Sequence, residues 1–521
     1  YTVIDHDIRS ILDFDSLHLL IGTFNGLFFL NKNTGQISPT SPAIGQKGEL
    51  SHFSIHSLFK DRQGILWVGT NSGGVNYYSV YNNRFDFILP SQFSGLIGMG
   101  REDRKGRLWF ATEGGGLLRY DPVTRHQHNY LLNTDARQAF NNNIIKAIHI
   151  SGDSILCSTH RGEVYLFSIP DEQFKLLYDF KYNNIHSIYK DTGGNSWIAT
   201  NTNRGLIQLK DGQFIDKFRL NGQYKHLKQV TTILEITPGK LLFGSVNGIY
   251  LYNLNAEKWS KISPEELHLP SGTPIEVTAF LKDSQQNIWI ATAKNGLFTL
   301  NQNLRLVQAL PELASPDEKV LSIAESPAGQ YWFTTNRKLY RYQPGKNTCD
   351  YFDASNGMPF QEFSANSALV TGNGQLYLPG NKGITTLNTC QFPVNPEAPP
   401  IWLTTLRVNN RQVNPQPSQS LLSQPLGYTS ALTLRHDETN IAIGYTAINY
   451  INPLSNRYAY YLEGIDHDWI QAKGNREAIY SNLPPGTYTF HIKASNNDGI
   501  WNNNGPTLRI QVLAPLWQRW W

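Results

Sequence analysis

The sequence predicts an all-β chain in which a β-propeller array precedes a β-sandwich. Three observations predict it. One strand–turn–strand phrase recurs at a near-constant interval, the recurrence stops at a proline-rich seam, and the composition is that of turns and strands. The chain has 521 residues, about three times a common domain, so more than one core is expected. Charged residues are 17%, below the ~25% of an average soluble protein, which argues against disorder and long solvated helices. With 45 basic and 41 acidic residues the formal charge is only +4, and no Lys/Arg run exceeds two, so no nucleic-acid footprint is indicated.

The recurring phrase is an apolar strand, Asp-x-x-Gly, Leu-Trp-x-Gly-Thr, a glycine turn and a second apolar strand. It is clearest at 58–78 and returns at 101–121, 188–209 and 280–300. Weaker copies start at Leu17, Ile155, Leu241, Tyr331 and Leu376. Anchored on the Thr of Gly-Thr, the copies fall at Thr23, Thr70, Thr112, Thr159, Thr200, Ser245, Thr292, Thr335 and Gly380, about 45 residues apart. That period holds four short strands, one propeller blade. The Asp is expected to bond the turn backbone, the Gly to take positive φ, and the Trp to pack between blades.

This phrase resembles the two-component regulator propeller repeat. The resemblance implies seven-bladed rings, often in tandem. Units three to nine, residues 90–398, are expected to close one ring. Residues 1–89 would then be two blades of an upstream propeller, with a nine-bladed ring as the alternative.

The period ends in Phe392-Pro-Val-Asn-Pro-Glu-Ala-Pro-Pro400, a linker composition. Strands at short spacing follow in 399–515 and read as a β-sandwich. The stretch from Tyr458 to Trp469, Ser481 to Tyr488 and Ala494 to Trp501 resembles the Y_Y_Y domain, an immunoglobulin-like module that follows such propellers in bacterial sensors. The combination is similar to the periplasmic half of hybrid two-component sensors. It implies a membrane-anchored, extracytoplasmic signal-transduction region that binds an oligosaccharide and dimerises through the sandwich. Residues 516–521, Leu-Trp-Gln-Arg-Trp-Trp, fit a juxtamembrane aromatic belt, or a last strand packing on the sandwich. The chain reads as a piece of something longer.

No catalytic or nucleotide motif is present. The glycines at 73–74 and 114–116 occupy blade turns. His126, His128 and His467 lack partners at metal-ligand spacing, so neither metal nor other cofactor is expected. Cys157, Cys349 and Cys390 are read as unpaired. Carboxylate pairs such as Glu265-Glu266 and Asp317-Glu318 read as solvated turns rather than an acid–base pair. The competing functions are a propeller lyase-type enzyme and a protein-interaction scaffold.

Ligand contacts are expected from loops at a ring mouth. The segment from Asn356 to Asn366 interrupts the blade pattern, and its Gln361-Glu362-Phe363 resembles the Asn-Glu-Phe-like triplet that precedes the family's last blade. Glu362, Phe363 and Asn366, with Arg337, are the candidate contacts on the propeller. Packing of the last blade on the first is the competing role for Glu362 and Phe363. On the sandwich the candidates are Asn497 and Trp501, in a turn whose Asx side chains should bond their own backbone while Trp501 and Trp469 fill the core.

Overall fold

The computed structural model describes residues 7–40, 50–91, 95–133, 142–181, 184–200, 205–210, 213–218, 229–262, 275–301, 304–310, 317–359, 362–416, 421–472 and 474–515. Their regular structure is β-strand with short 3-10 turns, and no helix among them is long and apolar enough to cross a membrane. The chain divides into two compact units, Arg84–Phe392 and a second made of Tyr1–Asn83 with Pro393–Trp521.

Seven four-stranded antiparallel sheets make up Arg84–Phe392. Blades 1 to 6 span residues 97–130, 145–179, 185–218, 230–262, 277–308 and 320–352. In each, strands follow one another in sequence order, and the first strands of successive blades pack together around the centre. All six of these first strands carry a register shift near their start, as between Ile145 and Ala147 or Val320 and Ser322. Such bulges raise the local twist that a propeller needs.

Blade 7 combines Leu369–Val370, Gln375–Pro379 and Ile384–Asn388 with Asp86–Ile88, which pairs with Ile384–Thr386. The repeat assigns Asp86–Ile88 to the upstream segment, and the structure gives it to the ring. The reason lies in the sequence after Asn388. It runs within a few residues into Pro393, Pro396, Pro399 and Pro400, which cannot donate to a ladder, so an earlier strand fills that edge. Gly383 permits the fit: a Cβ there would lie 2.5 Å from the Ile88 carbonyl oxygen. Blade 1 joins blade 7 through Ile97 N, which donates to Gly380 O at 3.1 Å, and Ser364 Oγ, which donates to Ile97 O at 2.5 Å. Phe392 closes the unit among Phe85, Trp332 and Phe352, with Arg84 and Arg341 over its ring.

The Asp turn does more than the sequence indicates. Asp103 Oδ1 accepts from Lys105 N and Arg107 N, while Oδ2 accepts from Trp109 Nε1 at 2.8 Å. Asp61 with Trp67, Asp191 with Trp197 and Asp283 with Trp289 repeat the contact at 2.9, 2.9 and 3.0 Å. One carboxylate therefore fixes both the turn and the indole six residues on. Trp109 meets Phe167 of blade 2, and Trp197 meets Phe243 of blade 4, so these indoles do pack between blades.

In the other unit the first sheet is Ile8–Asp13, His18–Thr23, Gly26–Asn31 and Ile37–Pro39. The second has three strands, Ile55–Lys60, Leu66–Thr70 and Val75–Tyr78. They share a core of Leu20, Leu27, Ile55, Leu66 and Val68. At the position where Leu117, Leu206, Leu297 and Leu339 are fully buried in the ring, Val75 is 69% exposed. Gln63 and Trp67 of this second sheet contact the sandwich: Gln63 Nε2 donates to Ile448 O at 2.9 Å, and Trp67 meets Tyr450 edge-on.

The sandwich sets a four-stranded sheet (Arg411–Val413, Ile401–Val408, Ile441–Ala447, Glu477–Tyr480) against a larger one. The latter orders Ala431–Leu434, Thr507–Val512, Gly486–Ser495, Arg457–Glu463 and Ile470–Gln471, with Trp501–Asn502 beside Gly486–Ser495. Alternation is clear in Thr507–Val512, where Leu508, Ile510 and Val512 are buried and Arg509 and Gln511 are exposed. Tyrosine hydroxyls pin the connections. Tyr480 OH donates to Asp466 Oδ2 at 2.6 Å, Tyr488 OH to Pro484 O at 2.8 Å, and Tyr458 OH accepts from Ala447 N at 3.1 Å. Burial, reinforced by the bond to Asp466, pushes the Tyr480 hydroxyl far up.

Candidate functional site

Antiparallel order decides which loops share a mouth. The start of each blade's first strand lies beside the turn joining its second and third strands. The anchor hydroxyls latch that turn: Thr112 Oγ1 donates to Gly116 O at 2.8 Å, Thr292 Oγ1 to Gly296 O at 2.8 Å, and Ser245 Oγ to Gly248 O at 3.1 Å. The sequence marked these positions only as the anchor of the repeat.

Arg337, Glu362 and Asn366 all fall at this mouth. Arg337 is exposed in the blade 6 turn, where Thr335 Oγ1 accepts from both Arg337 N and Lys338 N. Glu318, one of the acidic pair read as a solvated turn, accepts from Tyr340 OH at 2.6 Å and lies 4.0 Å from Lys338. Glu362 is exposed, and its backbone N–H and C=O both bond Asn381. Gln361 lies outside the described residues, as do Glu265-Glu266 and 516–521.

Asn366 adopts φ 52°, donates its backbone N–H to Leu321 O at 2.9 Å, and extends Nδ2 to Thr232 Oγ1 at 3.4 Å. Thr232 is on the first strand of blade 4, so that bond crosses the ring interior. Phe363 is different. It is 5% exposed in the cluster with Trp332, Leu376 and Leu378, and it bridges Gly380. Its role is the packing one, and it offers no face to a ligand.

The sequence missed a basic group at the same mouth. Lys146 pairs with Glu113, Arg161 donates to Asn142 Oδ1, and His160 and His186 lie close by. Burial, then the charges of Lys146 and His160, holds the His186 imidazole below its usual range. The available signal was position: His160-Arg161 directly follow an anchor threonine. One small cleft, lined by Asn195, Gln208, Lys210, Tyr252 and Glu257 between blades 3 and 4, holds about 130 Å³. That is below the ~300–1,000 Å³ of a small-molecule site.

In the sandwich, Asn496 Oδ1 accepts from Asp498 N and Ile500 N, as an Asx turn should. Its Nδ2 donates to Asn395 O and Glu397 O, tying the proline-rich segment to the domain. Asn497 Oδ1 accepts from Asn449 Nδ2 at 3.0 Å. Trp501 and Trp469 are not core residues. Both lie on the outer side of the larger sheet, where Lys493 Nζ sits 4.2 Å from the Trp469 ring and 5.6 Å from that of Trp501. The inward positions of Gly486–Ser495 are taken by Tyr488, Phe490, Ile492 and Ala494, which leaves Lys493 and its two tryptophans outside. No disulfide joins Cys157, Cys349 or Cys390 among the described residues, and burial pushes the Cys157 thiol up.

The Y_Y_Y domain model matches residues 449–513, and the two component regulator propeller model matches 49–72. The chain thus carries the two modules that its repeats and sandwich phrases resemble. Histidine kinase P4 of Formosa agariphila is 30% identical over 202 residues, 39% of this chain and 15% of that protein. The extracellular domain of a B. thetaiotaomicron protein described as a hybrid two component system superposes with a TM-score of 0.73 at 19% identity. That match covers 99% of this chain and 74% of the other. It establishes the shared fold of propeller and sandwich. A virginiamycin B lyase from Staphylococcus aureus reaches a TM-score of only 0.47 at 12% identity, over 58% of this chain and 98% of its own. That likeness is too slight to bear on catalysis. The chain spans about a seventh of the length of the curated relative.

Proposed function

We propose that this chain is the ligand-sensing region of a bacterial membrane signalling protein, held on the extracytoplasmic side, and that it binds an oligosaccharide at the mouth bearing Arg337, Glu362 and Asn366. The observation that carries the reading is the order of modules: a seven-bladed ring followed by a sandwich that the Y_Y_Y model matches, in a chain related to a histidine kinase. Exposed Arg337 and Glu362, with the half-buried Asn366 beside them, suit sugar hydroxyls, which need donors and acceptors held at fixed spacing. In this reading 516–521 lies next to the membrane, the sandwich mediates a homodimer, and ligand binding favours one of two dimer arrangements through a difference in affinity.

A thermal-shift panel of purified oligosaccharides, with product analysis of every positive, tests this. A native-state binder at a hundredfold excess over Kd adds ~2.7 kcal/mol of stability. A selective shift without turnover, lost in an Arg337→Ala/Glu362→Ala double variant, is the expected result. Product formation would make the protein an enzyme, and a shift unchanged in the double variant would move the site elsewhere.

A further inference from the structure

At the end of the ring nearer the Asp turns, three first-strand residues occupy one register position. Arg101 of blade 1 stands opposite Trp109, His149 of blade 2 opposite Leu156, and Tyr189 of blade 3 opposite Trp197. The His149 and Tyr189 rings are 5.9 Å apart, and Arg101 is close enough to act electrostatically on both. Arg101 is partly buried and keeps some accessible surface, as expected of a side chain bordering the central channel.

Its charge has no counterpart. The one hydrogen bond of its guanidinium runs from Nη1 to Gly100 O at 2.8 Å, and no carboxylate lies within ion-pair distance among the described residues. The neighbouring acids are engaged elsewhere. Asp103 and Asp191 hold their own turns and indoles, and Glu235 accepts from Thr192 N, Thr192 Oγ1 and Gly239 N. A cation partly withdrawn from water and without an ion partner gains from a bound anion. Tyr189 OH accepts from Glu235 N at 3.3 Å, which leaves its own proton to donate. A guanidinium, a phenol and an imidazole thus share one level of three successive first strands, with no carboxylate bonded to any of them among the described residues.

We propose that Arg101, His149 and Tyr189 form an oxyanion-binding site bordering the channel, taking a carboxylate or a sulfate group. A planar guanidinium pairs with either group through two parallel N–H bonds. The site stands apart from the mouth proposed to bind sugar and does not depend on it.

Calorimetric titration of the full 521-residue chain at constant ionic strength tests the site, with sodium D-glucuronate, sodium sulfate and D-glucose as probes. Wild type should bind at least one anion and not glucose, and the stronger of the two anions identifies the source. Arg101→Gln should weaken that binding at least tenfold, Arg435→Gln on the sandwich should not, and the bound anion should shift the His149 imidazole resonances. Arg101→Gln should also keep or raise Tm, since it removes a confined charge. Anion binding unchanged in Arg101→Gln, glucose binding as well as glucuronate, no binding of either anion, or a large fall in Tm for Arg101→Gln would each overturn the assignment.

Discussion

Asp283 shows how much one carboxylate holds. It accepts from Gln285 N, Asn287 N, Asn287 Nδ2, Trp289 Nε1 and, from the next blade, Tyr331 OH at 2.7 Å. Burial raises its carboxyl, but the bonds from Tyr331, Asn287 and Trp289 outweigh that and hold it below the ordinary 3.8. Asp283→Ala should cost ~2–4 kcal/mol, because a buried indole N–H and a phenol lose their acceptor together; urea midpoints measure it. A depressed carboxylate contributes stability above its unfolded pKa and loses it as pH falls through the folded value, so this contribution should fade progressively as pH falls below the ordinary 3.8. His149 carries a similar dependence at higher pH. Burial, then the charges of Arg101 and Lys190, lowers its imidazole from 6.5 to about 4. Below 6.5 the unfolded chain takes up a proton that the folded one refuses. The stability difference between wild type and His149→Asn should therefore shrink by up to ~2–3 kcal/mol between pH 6.5 and 4, and flatten below. Arg101→Gln should move the His149 midpoint upward, as NMR titration would show.

At the scale of elements, the closing strand was the part the repeat could not reveal. The blades announce themselves because Asp turn, Trp and anchor Thr recur in register, each with a local job. Asp86–Ile88 bears none of these marks, and its partner lies far along the chain, so periodicity had no means of assigning it. The same limit explains Trp501. A tryptophan in a strand reads as core by composition, whereas the register of Gly486–Ser495 decides which face it takes. Phe363 was legible because its alternative, packing of the last blade, was already implied by its place in the segment that leads into that blade. Arg101, His149 and Tyr189 were illegible, since three blades of differing sequence contribute one residue each. Two outcomes follow for the strand. A fragment spanning 84–392 should melt cooperatively, while one spanning 90–398, with an open edge on blade 7, should show a clearly lower Tm by circular dichroism. Gly383→Val, forcing a side chain against the Ile88 carbonyl, should cost ~2–3 kcal/mol in the full chain.

Across the whole molecule, equivalent positions do not have equivalent surroundings. We propose that the two N-terminal sheets belong to a second propeller, because Phe59, Val75 and Tyr77 expose 62%, 69% and 52% of their surface on a sheet built like those of the ring. Val75→Asp should accordingly change the Tm of this chain little, whereas Leu297→Asp at the matching ring position should unfold blade 5. The strand exchange at blade 7 also bears on synthesis. Ile88 leaves the ribosome 296 residues before Ile384, its partner. At ~5–20 residues per second that is a wait of roughly 15–60 s. During it the early strand and six growing blades have no closed ring to hold them. Helpers that shield unpaired strand edges, or a pace of translation that shortens the interval, would set the yield of this protein more than the stability of the finished ring does.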